Sequence, residues 1–509
     1  MADGLDSTFR SLFKGGGLVI IGMGIELGTA FIAKLFMARI LGVSSYGGIS
    51  IGTTLITFAS MLTVLGLQTG AGRFLPRYDT IEDKKGIIVS AIQIVGPVSL
   101  VIGGVLFASS GYLATNVFDD SSLTPILQIA SITVPFAAFV TLAVGVLQGT
   151  EEVMPKVIMK HVSLPVVRFG LIITVLALGL GTVGLISAFL AAYVVAAAVG
   201  LVYLYRRTSL GDSGGYTTRR KELLLFSLPL SISGAMTLVF SHVDTFMVGW
   251  LATVEDVGIY GVVYPLASML SVTLTSFGFI FLPVFSKYHS NEDADGMRSI
   301  YTAVAKWILF AACPLFVLFF FFPELTISLT FGAKYSEGAL ALRILSISFF
   351  FHAIVGPNSK ALVSMGCNKA VMYYSVLVAV VNLVLNFLLI PGYSYVGASV
   401  ATTLSYGLLN VLNSTKLYRV TGILPQNRVM LPPVTAATLS IGAIELFVRP
   451  TFPERVVVQL GFAVLYVLLL TVFIARFGGI EEHDLKIVSD IEHYFGVDLS
   501  LVRRFVNVK

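Results

Sequence analysis

Long apolar runs alternate with short charged or turn-rich gaps along this chain. A helix needs about 20 apolar residues to cross a bilayer, and fourteen runs of roughly that length can be drawn. They cover 16–41, 47–68, 87–113, 123–148, 160–181, 184–205, 223–250, 257–283, 299–322, 338–363, 371–390, 395–417, 431–449 and 456–476. The clearest gaps are Arg73–Lys85, Arg206–Glu222, Lys287–Arg298 and Lys416–Arg428. Runs this long lack the period-2 alternation of an outer-membrane barrel. The pattern therefore predicts an all-α polytopic membrane protein with about 14 transmembrane helices. Both ends have a different pattern. Leu5, Phe9, Leu12 and Phe13 share one helical face, predicting an interfacial helix within 1–15. Leu485, Val488, Ile491 and Phe495 do the same among acidic residues, predicting an amphipathic cytoplasmic tail over 478–509.

Composition sharpens this picture. Only 12% of the 509 residues are charged and 56% are hydrophobic, against about 25% charged in soluble proteins. Soluble enzymes, disordered chains and coiled coils are excluded. The net charge of +5 is no nucleic-acid signal here, because Lys and Arg gather in cytoplasmic loops. With the N-terminus inside, the inner segments hold 19 of them and the outer loops 3. Both termini are thereby expected in the cytoplasm of a plasma-membrane protein. The first run contains Glu26 and Lys34 and is too long for a cleavable signal. Cys313 and Cys367 form no CxxC pair, so neither a disulfide framework nor a metal site is expected.

The chain repeats itself. Lys34–Leu41 aligns with Asp244–Leu251, Phe74–Pro76 with Phe281–Pro283, and Leu204–Arg206 with Leu417–Arg419. The near-constant offset spans six helices, an even number, so both halves have the same orientation. That is a parallel repeat of the transporter type. The expected organisation is a six-helix bundle over 16–210, a second over 222–420, an extra helix pair over 430–477, and the two flanking amphipathic segments.

Phe36–Gly42 leading into Tyr46-Gly47, its echo from Phe246 through Tyr260, and Gln148-Gly149 opening the fourth inner loop carry a resemblance. In their order and spacing they resemble the polysaccharide-transporter branch of the MOP exporter superfamily. That branch holds Wzx-like flippases for lipid-linked oligosaccharides; its relatives are MurJ-like flippases and MATE exporters. The resemblance implies two bundles around a central cavity walled by helices 1, 2, 7 and 8, and export by alternating access.

No GxxxxGK[ST], HExxH, GxSxG or Cys/His cluster occurs, so an enzyme is not expected and no cofactor is called for. The informative residues are charges at bilayer depth, which usually face a cavity or a partner. Candidates for the lumen are Glu26, Lys34 and Arg39 in the first run, Arg168 in the fifth, His242 and Asp244 in the seventh, and His352 and Lys360 in the tenth. Lys34 and Asp244 are equivalent in the repeat, and a salt bridge between them is one expectation. His161 and Arg168 lie seven residues apart on one helical face. Arg343 and Lys360 stand near opposite ends of their run, as snorkelling side chains do. His352 reads first as a hydrogen-bonded packing residue. Pro97, Pro135, Pro165, Pro229, Pro265 and Pro357 are expected to interrupt helices.

Within the spans three acids, Glu26, Asp244 and Glu445, face six Lys or Arg. A cationic lumen suits an anionic head group such as pyrophosphate. The leading expectation is a flippase for a lipid-linked oligosaccharide; the alternative is a MATE-like cation-coupled small-molecule antiporter. A membrane glycosyltransferase or polymerase is disfavoured, because no outer loop exceeds about fifteen residues. Expected partners are the lipid-linked glycan, membrane lipids and a coupling ion. No nucleic acid is expected, and the chain is expected to act as a monomer.

Overall fold

In hydrocarbon no water satisfies backbone N–H and C=O groups, so a spanning chain must close its hydrogen bonds within helices or a closed barrel. The computed structural model describes residues 22–150, 154, 157–208, 210, 215–424, 431–443 and 456–476, and every regular element among them is helical. The interfacial helix expected over 1–15, Glu445 and the tail 478–509 lie outside the described residues. Among the described residues eight helices are long and apolar enough to cross a membrane. The number is nine if Val254–Ser268 and Leu270–Gly278, bent by 43° to each other, form one span. The chain is a multi-span membrane protein with two compact units, Met1–Gly261 and Val262–Lys509.

In the first unit α1 covers 22–40, α2 Val43–Val64, α3 Leu67–Phe74, α4 Ile81–Tyr112 and α5 Leu123–Gly149. Then come α6 Leu164–Ala177, α7 Gly181–Arg207 and α8 Arg220–Leu251. The central helix is α5, which packs on α2, α3, α4 and α7. Its buried face is rich in small side chains, including Ala130, Ser131, Ala137, Ala138 and Ala143. Small residues let membrane helices approach closely where no hydrophobic force drives them together.

Two irregularities shape this unit. The run expected over 47–68 is broken: Leu65 (φ 52°) and Gly66 (φ 73°) are left-handed and separate α2 from the short α3. Before α6, Val157–Ser163 is π-helical, a form found mostly as single turns at functional sites. The prolines divide into two groups. Pro97, Pro135 and Pro265 sit inside continuous helices instead of ending them, as membrane helices tolerate. Pro165 opens α6 and Pro357 caps the helix that follows it, where a missing N–H costs little.

α9, Val254–Ser268, runs across the boundary of the two units. The second unit continues with α10 Leu270–Ser290, α11 Ala294–Phe321, α12 Pro323–Thr330, α13 Ala339–Val355 and α14 Asn358–Ser364. It ends with α15 Asn368–Thr421, α16 Leu431–Ala443 and α17 Val456–Arg476. As a straight rod the 54 residues of α15 would extend ~80 Å, far beyond a ~30 Å hydrocarbon core. Ser394 (φ 48°, ψ −134°) breaks it, and Gly397 lies back against the Leu389 carbonyl. The two arms correspond to the runs expected over 371–390 and 395–417. The last two helices pair and seat Val434, Ala437, Ile441 and Tyr466 against Leu309, Cys313 and Val317 of α11.

Candidate functional site

The break at Leu65–Gly66 lets α3 lie close over α5. A side chain at Gly145 would run into the backbone of Gln68, and Gly72 and Gly149 also meet backbone to backbone. This glycine seam holds α3 as one wall of a cavity of about 680 Å³ inside the first unit. That volume lies in the range of small-molecule sites, about 300–1,000 Å³. Gln68 and Arg73 come from α3, Gln148 from the end of α5, and Tyr193 from α7.

The π-helical turn supplies a further part of the lining. It turns Lys160 into the cavity and leaves its neighbour His161 buried, 5% exposed, with Nδ1 2.5 Å from Glu26 Oε2. Arg168 enters from α6, its guanidinium 5.5 Å from the Phe189 ring centroid. A cation over a ring face is attracted by the ring's quadrupole and so held in place. The cavity thus brings three cations, Arg73, Lys160 and Arg168, to one acid, Glu26, which already faces a histidine. Like charges gathered in one cavity are costly without a counter-charge. The arrangement therefore suits an anion with two or more charged oxygens. Beside the cations, Gln68, Thr141, Gln148 and Tyr193 offer neutral hydrogen-bonding groups. Among the described residues Gln68 Oε1 has no hydrogen-bond partner.

The residues singled out from sequence separate into groups. Glu26 and Arg168 line the cavity. Lys34 is within electrostatic reach of Arg168 and of His242. Asp244 is 2% exposed and accepts from the Tyr260 hydroxyl at 2.8 Å. Among the described residues no ion pair joins Lys34 to Asp244. Arg39 is exposed near the end of α1.

His352 and Lys360 belong to the second unit. His352 Nδ1 is 2.8 Å from Asn410 Oδ1, and Asn358 Nδ2 donates to the same oxygen and to Ser414 Oγ. Lys360 reaches across to α10. Its amino group lies over Gly278 of α10, where any side chain would collide with it, and donates to the Thr275 carbonyl at 3.4 Å. Arg343 donates to the Phe320 carbonyl at 3.1 Å and stands 3.5 Å from Glu324.

Arg73 and Lys160 were missed as site residues, because both fall among the loop charges that set orientation. Gly72 directly before Arg73 was the available signal, since a close backbone approach carries the next side chain to the same wall.

The family model described as polysaccharide biosynthesis protein matches residues 36–340. An uncharacterised membrane protein of Methanocaldococcus jannaschii is 24% identical over 74% of this chain and 91% of its own length. A probable low-salt glycan biosynthesis flippase of Haloferax volcanii is 25% identical over 78% of this chain and 80% of its own. The inward closed structure of the lipid II flippase MurJ superposes with a TM-score of 0.70 at 13% identity, covering 90% of this chain and 99% of that one. At that identity the likeness is one of fold.

Proposed function

Because this chain belongs to the polysaccharide biosynthesis protein family, we propose that it is a flippase that carries a lipid-linked glycan from the cytoplasmic to the outer leaflet of the plasma membrane. The observation that carries the reading is the cavity with Arg73, Lys160 and Arg168 facing the single, histidine-bound Glu26. A lipid-linked glycan joins an apolar chain to sugars through phosphate, and phosphate is what a cluster of arginine and lysine recognises. Arginine adds a planar fork that matches two phosphate oxygens at once. Gln68, Gln148 and Tyr193 are the neutral partners that sugar hydroxyls need. The flippase names of the Haloferax relative and of the MurJ structure support the same substrate class.

Nothing is cleaved or formed in this reading. The cations hold the head group while the bundles alternate access, and the 19-to-3 division of Lys and Arg supports cytoplasmic termini. A cationic small molecule, the substrate of the antiporter alternative, would be repelled by the same three side chains. The test is reconstitution into vesicles holding a polyprenyl-diphosphate-linked glycan, with a membrane-impermeant lectin reporting the outer leaflet. The proposal expects lectin-accessible glycan to appear faster than in protein-free vesicles. Equal rates, with efflux of an organic cation instead, would overturn it.

A further inference from the structure

The segment before α8 is fastened to the start of α4 by one arginine and its surroundings. Arg219 pairs with Asp83 at 2.9 Å and with Glu222 at 3.0 Å. Its guanidinium lies 4.3 Å from the Tyr78 ring centroid and donates to the Tyr78 hydroxyl, which donates in turn to Glu222. Burial and then the bond to Glu222 raise the pKa of that phenol, so it stays a donor. The backbone joins in. Arg219 N donates to Ser90 Oγ at 3.0 Å, and Gly86 has no side chain because the Thr217 carbonyl occupies that place. Arg220 donates to Gln93 at 2.7 Å. Contacts of this partly exposed kind are weak one by one; several together hold the segment and still allow release.

The same fastening reaches the cavity through α3. One face of α3 lines the cavity with Gln68 and Arg73. Its other face takes the first turns of α8: Ser227 fills the space left by Gly70, and Phe226 meets Phe74 with ring centroids 4.8 Å apart. The left-handed pair Leu65–Gly66 hinges α3 to α2.

We propose that the segment 215–222 is a releasable latch. While Arg219 is engaged, α8 holds α3 and its Arg73 in the cavity wall; an anionic head group that draws Arg73 moves α3 and frees the latch. This coupling rests on the cavity being the head-group site. The latch itself does not.

Two measurements on the full-length protein test it, in a Cys313→Ser, Cys367→Ser background. Ser90 is fully buried beneath the segment, so a Ser90→Cys variant reports release by its rate of maleimide labelling. Asp83→Arg should speed labelling, and adding Arg219→Asp should return it to the slow rate. Labelling that is equally fast with and without Asp83→Arg would overturn the latch. Next, Gln93→Cys with Arg220→Cys is joined by a short, reducible thiol cross-linker. Flipping should fall to the protein-free rate when joined and return on reduction. A joined protein that flips as fast as the reduced one would show that release is not required. Failure of the uncrosslinked protein to flip any glycan would count against the proposed function, while the labelling arm still decides the latch.

Discussion

Glu26 and His161 meet at 2.5 Å, carboxylate to imidazole, and so join the first described helix to the π-helical turn before α6. The pair sits at the edge of the cavity and takes up the one acid that would otherwise offset Arg73, Lys160 and Arg168. Freeing Glu26 changes the charge seen by a ligand, and removing it strands a buried imidazole.

Glu26→Gln keeps a hydrogen-bonding group for His161 and should leave folding near normal. Glu26→Ala should cost about 1.5–3 kcal/mol, the range for a hydrogen bond to a charged group. Thermal unfolding of the two detergent-solubilised variants measures the difference; identical midpoints would mean that the pair holds nothing.

The glycine seam gives a second prediction. Gly145→Ala forces a methyl group into the Gln68 backbone and should lower the yield of folded protein and spoil the α3 wall. Gly96→Ala, which meets nothing within 4 Å, should be neutral or stabilising by roughly 0.4–1 kcal/mol. Size-exclusion profiles of the two variants side by side check the contrast.

In the second unit Asn410 serves both His352 and Asn358. Asn410→Ala leaves the half-buried His352 wanting a partner, at about 1–3 kcal/mol, while Asn358 keeps the Ser414 hydroxyl. Combined with His352→Ala it should be less damaging than the sum of the two, with a coupling of about 0.5–3 kcal/mol. Additive losses would mean that the two side chains do not interact.

The sequence pattern made the helical class legible because each apolar run has to satisfy its own backbone in lipid. Glu26 and Arg168 could be read for the same reason: a charge at bilayer depth needs an explanation. Arg73 and Lys160 could not, since their flanking residues look like loop. Only the left-handed Leu65 and the π-helical turn at Val157–Ser163 bring them to the cavity, and neither leaves a periodic mark in the sequence. Lys34 and Asp244 illustrate another limit. Their equivalence in the repeat predicts matching depth, whereas the hydroxyl that Asp244 accepts from belongs to Tyr260, sixteen residues on.

Head-group recognition by the three cations is the central claim, and a binding titration tests it most directly. Purified protein is titrated with a short-chain polyprenyl diphosphate and, separately, with the corresponding neutral alcohol. The comparison protein carries Arg73→Gln, Lys160→Gln and Arg168→Gln together. At about 1.5–3 kcal/mol for each charge-assisted bond, the triple variant should bind the diphosphate more than ~1,000-fold more weakly, with binding of the alcohol unchanged. A triple variant that binds the diphosphate as tightly as the unaltered protein would contradict the account.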